Sequence, residues 1–438
     1  MQHGNTFFLA AAVLVLASCA TVADKEGTAK DKPPPDPDYQ VLRVGFAKND
    51  ITPGRELGLR GYGFRRELPK GNTGVHDPLY VRALAMRHYT RVAVLVTFDL
   101  CGIPVELARR YRGEIAQKLN TPTNNVIISA SHTHSAPGLL TPELAKKWEI
   151  EYDTNSPPAA MKYTEEMSAK IMEAVRRAES LTYPVTVWVR EAPFALAYNR
   201  RAQTDRGLKS CWEPQQFPHR QPDIPDDITC SVLMFDQSGG PRRYLLWSIG
   251  AHPTVLGQTS RTVSADYPGI ACSLIEEYVP GARSMFVLGA AGDTQPWIAT
   301  QEDPKQLLPV ARAAASYVAL LSQAGKPVPV KPPFFKCTGE TVRIGKHEFD
   351  LVVWKIGSVW IVATPGEIFA SLSARLRKKL KGEVILATLS NGGGGYLPAK
   401  HDYAGGGYEV NIAKNREFEP GSGEKLIDRI VALAKTLE

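Results

Sequence analysis

The chain has 438 residues, 43% of them hydrophobic, and a formal charge of +7. That length accommodates one or two domains with a sizeable core. The modest charge, with no Lys/Arg block denser than residues 375–381, leaves no footprint for nucleic acid; such a run reads as a solvated helix face.

The chain begins with an apolar stretch, Phe7 to Leu16, too short to span a bilayer and suited to the h-region of an export signal. Leu16-Ala17-Ser18-Cys19 resembles a bacterial lipobox. Residues 1–19 are therefore expected to be a lipoprotein signal, with Cys19 lipidated and anchoring the protein in the bacterial envelope, at the outer membrane or periplasmic face. No Lys or Arg precedes the apolar run, so an ordinary cleaved signal is the competing reading. Residues 20–40 are polar and contain Pro33-Pro34-Pro35, the composition of a disordered tether. Residues 41–438 are expected to form a single α/β domain. Of the six cysteines none forms a CxxC pair, which excludes a zinc ribbon. Cys211 and Cys230 flank one irregular segment and are the best candidates for a disulfide, while Cys101 and Cys272 read as buried thiols.

Val44 to Ile51 opens the globular part, and Gly58 to Gly74 reads as a loop. Leu79–Met86 and Arg91–Phe98 read as paired strands, the second apolar throughout and hence central. Asp99 closes it, as a helix cap or a site residue. Val105–Leu119 has helical periodicity. Val126 to Ala130 is a buried strand that runs into Ser131-His132-Thr133-His134-Ser135-Ala136-Pro137-Gly138. In extended backbone the i, i+2 spacing puts both imidazoles on one side. A helix over Met161–Leu181 and a strand over Val185–Arg190 follow. Ala202 to Asp227 then reads as a long irregular stretch, suited to a lid or substrate loop. The strands Ile228–Phe235 and Tyr244–Ile249 lead to Gly250-Ala251-His252. Asp266 stands near the start of the next helix, and Met285–Leu288 runs into Gly289-Ala290-Ala291-Gly292-Asp293. Leu307–Leu321 is helical. Val359–Ala363 runs into Thr364-Pro365-Gly366-Glu367 before a helix over Phe369–Leu380. Val384–Leu389 leads through four glycines to Tyr396, and Lys425–Leu437 closes the chain as an amphipathic helix.

Four strands thus end in small residues followed by His132, His252, Glu367 and Tyr396. The fold class expected is α/β, with buried sheets flanked by helices and a metal site at the strand C-terminal ends. Two imidazoles and a carboxylate are a zinc ligand set with a position left for water, and Tyr396 is a fourth ligand or an oxyanion donor.

From Val44 onward the chain resembles the catalytic domain of the neutral/alkaline non-lysosomal ceramidase family. The matching motifs are Ser131 to Gly138, Asn199-Arg200, Gly292-Asp293, Thr364-Pro365-Gly366-Glu367, and Asn391 through Gly395-Tyr396-Leu397-Pro398. The resemblance implies one zinc per chain on His132, His252, Glu367 and Tyr396. It also implies contacts to the amide or its neighbourhood from His134, Arg200 and Tyr408. Gln295 occupies the position at which the family carries serine. The stretch after Tyr396 is too short for the C-terminal β domain of ceramidases. A short, ceramidase-like amidase not dedicated to ceramide is therefore expected, acting on a small-molecule or lipid-like amide.

In the mechanism this implies, zinc-activated water attacks the carbonyl. Tyr396 or Arg200 stabilises the oxyanion, His134 or Asp293 carries the proton, and Gln295 contacts the substrate. Asp293 has a second reading, as the residue that orders its glycine-rich turn, and so has Arg200, as half of a structural ion pair, with Arg201 a near-equal candidate for the contact. Another zinc hydrolase (esterase, lactonase or sugar N-deacetylase) and a non-catalytic ligand-binding lipoprotein are the alternatives.

Overall fold

Three times the chain runs through one unit: three antiparallel strands, a helix, and a fourth strand parallel to the third. A computed structural model describes residues 41–438 except 148–156, 205–206, 218–221 and 333. The expected lipidation at Cys19 and the tether lie outside the described residues. The first unit comprises β1 (Arg43–Asp50), β2 (Tyr80–His88), β3 (Arg91–Phe98), α1 (Val105–Lys118) and β4 (Val126–Ala130). Helix α2 (Pro157–Ser180) leads to the second: β5 (Tyr183–Pro193), β6 (Thr229–Gln237), β7 (Arg243–Ile249), α3 (Asp266–Tyr278) and β8 (Ala282–Leu288). Helix α4 (Leu307–Gln323) leads to the third: β9 (Lys336–Ile344), β10 (His347–Ile356), β11 (Val359–Ala363), α5 (Ala370–Lys379) and β12 (Val384–Ala387). Helices α6 (Tyr408–Asn415) and α7 (Ser422–Lys435) close the chain. In each unit the parallel fourth strand requires a crossover, and the helix supplies it.

Units one and two join through antiparallel pairing of β1 with β5. The result is a nine-stranded sheet in the order β8-β7-β6-β5-β1-β2-β3-β4, with Lys326–Pro327 pairing alongside β5. The third unit forms a separate four-stranded sheet that packs face to face on the first. Val44, Leu95, Ile127 and Leu246 on one side meet Trp354, Ile356, Ile361 and Ile385 on the other. The outer face of the large sheet is covered by α1 and α2 at one end and by α3 and α4 at the other. The outer face of the small sheet is covered by α5 and α7. Strands in the middle of these layers are buried on both faces, which is why Val92–Phe98 is apolar almost throughout. Each fully buried large apolar side chain contributes about 1.5–3 kcal/mol.

The segment after β12 ties the three units together. The Thr388 amide donates to the Leu288 carbonyl (2.8 Å), the Ala130 amide to the Leu389 carbonyl (3.3 Å), and the Asn391 amide to the Ile128 carbonyl (2.6 Å). The ends of β4, β8 and β12 are thereby held side by side, and the residues that follow them converge.

Several expectations change. The stretch 202–227 is not wholly irregular, because Arg201–Thr204 and Gly207–Ser210 pair as a hairpin. The β9–β10 hairpin was not expected at all. Strand β9 is polar and half-exposed nearly throughout, whereas β10 carries a buried apolar run, Leu351–Trp354. Cys211 and Cys230 are both free thiols, and Cys101 is half-buried rather than buried. Among the described residues, no helix is long and apolar enough to cross a membrane.

Candidate metal centre

Strand ends from all three units meet at one cluster. The Nε2 atom of His132 lies 3.3 Å from Oε2 of Glu367 and 3.3 Å from Nε2 of His134. The Nε2 atom of His252 lies 3.4 Å from Nε2 of His134 and 3.9 Å from Oε2 of Glu367. One ligand atom each from His132, His252 and Glu367 falls within 4.8 Å of the others, and all three residues are buried. Metal–nitrogen bonds of about 2.0–2.1 Å give a tetrahedron with edges of about 3.3–3.4 Å. The His132–Glu367 spacing matches such an edge, and the His252–Glu367 spacing of 3.9 Å is about half an ångström longer. Glu367 Oε2 is buried and makes no hydrogen bond, and His134 Nδ1 is likewise unpaired. A buried carboxylate oxygen without a donor costs stability unless something else satisfies it. The donor set and its orphaned oxygen fit a zinc ion.

Two of the imidazoles are oriented from behind. His132 Nδ1 sits 2.6 Å from the Cys101 carbonyl and His252 Nδ1 sits 3.0 Å from the Ala291 carbonyl. Each ring therefore donates from Nδ1 and presents its Nε2 lone pair to the cluster. Burial, with His132 and Arg200 nearby, holds His252 neutral, its pKa well below the usual range. Burial and His132 do the same for His134. Burial opposes the charge on His132 as well, but Glu367 more than offsets it and holds that imidazole well above its usual pKa. With no cation between them the two form a buried ion pair.

The route to this geometry differs from the extended i, i+2 arrangement. β4 ends at Ala130, and His132 has φ +72°, in the left-handed region that β-carbon-bearing residues avoid. That turn aims the His132 ring at Glu367. His134 is set by its other neighbours. Its ring meets the edge of Tyr62 at 4.7 Å, and its carbonyl accepts from Arg65, whose guanidinium also donates to the carbonyls of Ser260 (3.1 Å) and Gly257 (3.2 Å). A β-carbon on Gly61 would come 2.5 Å from His134 Cγ, and Gly61 has φ +116°. Only glycine fits there.

Glu367 and Tyr396 are cross-strand partners in a two-residue parallel pair, Glu367–Ile368 with Tyr396–Leu397. This pairing sets the Tyr396 hydroxyl beside the Glu367 carboxylate. Tyr396 in turn meets Tyr408 edge-on at 5.7 Å, and Trp212 meets Tyr408 at 5.3 Å. The cluster opens into a cavity of about 790 Å³, lined by His132, His134, Glu367, Tyr396 and Tyr408 among others. That volume suits a small-molecule ligand.

The profile of the neutral/alkaline non-lysosomal ceramidase N-terminal domain matches residues 42–326. The chain belongs to the neutral/alkaline non-lysosomal ceramidase family. Neutral ceramidase A of Dictyostelium discoideum is 24% identical over 266 residues, 57% of this chain and 34% of that protein. Neutral ceramidase of Drosophila pseudoobscura pseudoobscura is 25% identical over 249 residues, 55% of this chain and 33% of that protein. The chain thus matches about a third of the length of these relatives. The crystal structure of neutral ceramidase from Pseudomonas aeruginosa shares the fold, with a TM-score of 0.72 at 16% identity over 91% of this chain and 74% of that one. A ceramidase complexed with C2 gives a TM-score of 0.73 at the same identity, over 91% of this chain and 75% of that one.

In this family member, three of the expected site residues stand behind the cluster. Arg200 is fully buried and hydrogen-bonds into the protein. Nε donates to Glu409 Oε1 (2.8 Å), Nη2 to the Gly292 carbonyl (2.9 Å), and Nη1 toward Gln295 Oε1 (3.4 Å) and the Thr294 carbonyl (3.4 Å). Nη1 also stands 3.3 Å from His252 Nδ1. Arg200 therefore packs behind His252, and it is not among the residues that line the cavity. Gln295 is buried beside it and does not reach the cavity wall. Asp293 Oδ1 accepts from the Ala370 amide at the start of α5 (2.9 Å), and its Oδ2 from the Asn199 side chain (3.2 Å). It is a helix cap, and burial pushes its pKa up to about 7. Asp99 is paired with Arg82 at 2.7 Å and is also structural.

The sequence reading did not single out Glu409, Arg65, Gly61 or Cys101. Glu409 is completely buried and also accepts from Ser210 Oγ at 3.1 Å to each oxygen. Its adjacency to Tyr408 in the motif was the one available signal. Cys101 follows β3 as His252 follows β7 and Glu367 follows β11, a correspondence that appears only once the repeated unit is seen.

Proposed function

We propose that this protein is a zinc-dependent hydrolase of an acylated amine, with His132, His252 and Glu367 as metal ligands and Tyr396 beside them. The convergence of those three side chains' ligand atoms, with a buried carboxylate oxygen left unpaired, carries the reading. Bound there, zinc would supply Lewis-acid chemistry to a water and to the scissile carbonyl. Among the chain's own residues, neutral His134 lines the cavity and moves the proton from the attacking water to the leaving amine. The C–N bond breaks, the acyl carbon keeps the hydroxyl oxygen, and the amine leaves with the proton. Tyr396 donates to the developing oxyanion. Tyr408, on the same wall, orients the amide. Arg200 and Glu409 act at one remove by holding His252. Gln295, where ceramidases carry serine, bears on the site only through Arg200. The Leu16–Cys19 motif supports attachment to an envelope membrane through lipidated Cys19, which a Cys19→Ala variant would abolish in metabolic lipid labelling.

Elemental mass spectrometry of the purified protein tests the centre. About one zinc per chain is expected in the wild type and none in His132→Ala, with hydrolysis of an amide panel lost in parallel. Undiminished hydrolysis by His132→Ala, or a wild type that takes up no zinc when supplied, refutes the assignment.

A further inference from the structure

The cavity lining is basic, and one of its half-buried cations has no carboxylate at ion-pair distance among the described residues. Arg60, Arg109, Arg343, Lys346 and Arg416 all belong to it, against Glu106 and Glu348 beyond the Glu367 of the metal centre. Several are accounted for within the protein. Arg109 pairs with Asp350 at 3.1 Å and stands 4.0 Å from Glu348, Lys346 pairs with Glu417 at 2.7 Å, and Arg343 is exposed to solvent. Arg416 differs. It is half-buried, and among the described residues no carboxylate lies within ion-pair distance of its guanidinium.

Its position is fixed by the site. Arg416 follows α6 directly, and its side chain lies over Gly395: a β-carbon there would come 2.5 Å from Arg416 Cδ and 2.6 Å from Nε. Gly395 precedes Tyr396, and its carbonyl accepts from the Glu367 amide at 2.9 Å. The guanidinium thus crosses the strand pair that carries two of the site residues, and its charge reaches Glu367. Glu367 cannot serve as its partner, because that carboxylate is directed at His132. The cavity lining also includes Leu59, Ile103 and Leu139, an apolar surface for a chain of methylenes. A partly desolvated guanidinium with open donors is a carboxylate or phosphate receptor.

We propose that the cavity binds an anionic amphiphile, an amide whose amine half carries a carboxylate or phosphate, and that Arg416 is the residue that selects it. The anion takes the guanidinium, the acyl chain takes the apolar wall, and the amide lies between them at the metal centre. This rests on the amide-hydrolase reading for its chemistry, but the anion site stands or falls by itself.

The test compares three substrates on the zinc-loaded full chain: N-lauroylglycine, the phosphate ester of N-lauroylethanolamine, and neutral N-lauroylethanolamine. Wild type is set beside Arg416→Gln, which keeps a polar stem over Gly395, and Arg416→Lys. A charge-assisted contact predicts a loss in kcat/KM of about 10- to 100-fold for the anionic substrates in Arg416→Gln, with about threefold or less for the neutral one. Arg416→Lys should recover part of the anionic rate. Whichever of carboxylate and phosphate loses more identifies the group recognised. An equal loss on all three substrates, or a wild type that prefers the neutral amide, overturns the anion site and leaves the hydrolase reading in place. Binding of N-lauroylglycine by calorimetry is measured in parallel. If no amide is cleaved, at least tenfold weaker binding by Arg416→Gln sustains the anion site without the amidase, and equal binding ends it.

Discussion

Replacing Arg200 by alanine separates a positioning role from a substrate contact. The Arg200–Glu409 pair joins residues 209 apart in sequence at 2.8 Å, with side-chain exposures of 1% and 0%. Removing one partner leaves the other charge buried and unpaired, which costs about 3–5 kcal/mol. That is a large share of the roughly 5–15 kcal/mol that stabilises a domain. Glu409 keeps only the Ser210 hydroxyl and Arg201, whose Nε is 3.8 Å away, so little offsets the loss. The double variant Arg200→Ala/Glu409→Ala should cost less than the two single changes added together, with a coupling of about 2 kcal/mol or more. Because Arg200 also backs His252, zinc affinity should fall about 10- to 100-fold. Urea unfolding followed by circular dichroism reads the first quantity, and competition with a chromophoric chelator reads the second. An Arg200→Ala protein within about 1 kcal/mol of wild type, binding zinc as tightly but slowed on every amide, would refute this reasoning and return Arg200 to the substrate.

Two further outcomes follow from the same geometry. Gly61→Ala forces a β-carbon into the His134 ring at an unfavourable φ, so a destabilisation of about 2–4 kcal/mol and a marked loss of hydrolysis are expected; wild-type melting and activity would show that His134 tolerates displacement. Asp293 has its pKa raised from the ordinary 3.8 to about 7 by burial, so its protonated form is favoured by folding. The stability it contributes is complete below about pH 4 and is lost as the pH rises through about 7. In Asp293→Asn the fall in unfolding free energy across that window should be shallower than in wild type, and an unchanged slope would contradict the assignment.

Much of the site was legible in the sequence. His132, His252, Glu367 and Tyr396 each follow an apolar run that stops at small residues, and that pattern is local: burial on both faces makes a strand apolar, and the exit from the sheet needs small side chains. Helices α1, α2, α4 and α7 were equally plain, because their periodicity is carried by neighbouring residues. Strand β9 and helix α6 were not, because β9 is polar and half-exposed nearly throughout and α6 buries only Glu409, Val410 and Ala413; β10 carries a short buried apolar run, Leu351–Trp354, that the reading passed over.

The sequence by itself determined which residue types end the strands, and so the chemistry available. Tertiary structure decided which of them meet. The three-fold use of one strand–helix unit leaves no visible sequence repeat, yet it brings the ends of β4, β7 and β11 to one point. Arg200 was expected at the substrate and is held behind His252, because Glu409, 209 residues away, takes its charge. Arg416 drew no notice as one arginine among many, and only the packing over Gly395 sets it in the cavity lining with no carboxylate at ion-pair distance among the described residues. Strand formation depends on near neighbours, whereas the pairing of a buried charge depends on whichever distant carboxylate the fold delivers, and no local pattern encodes that.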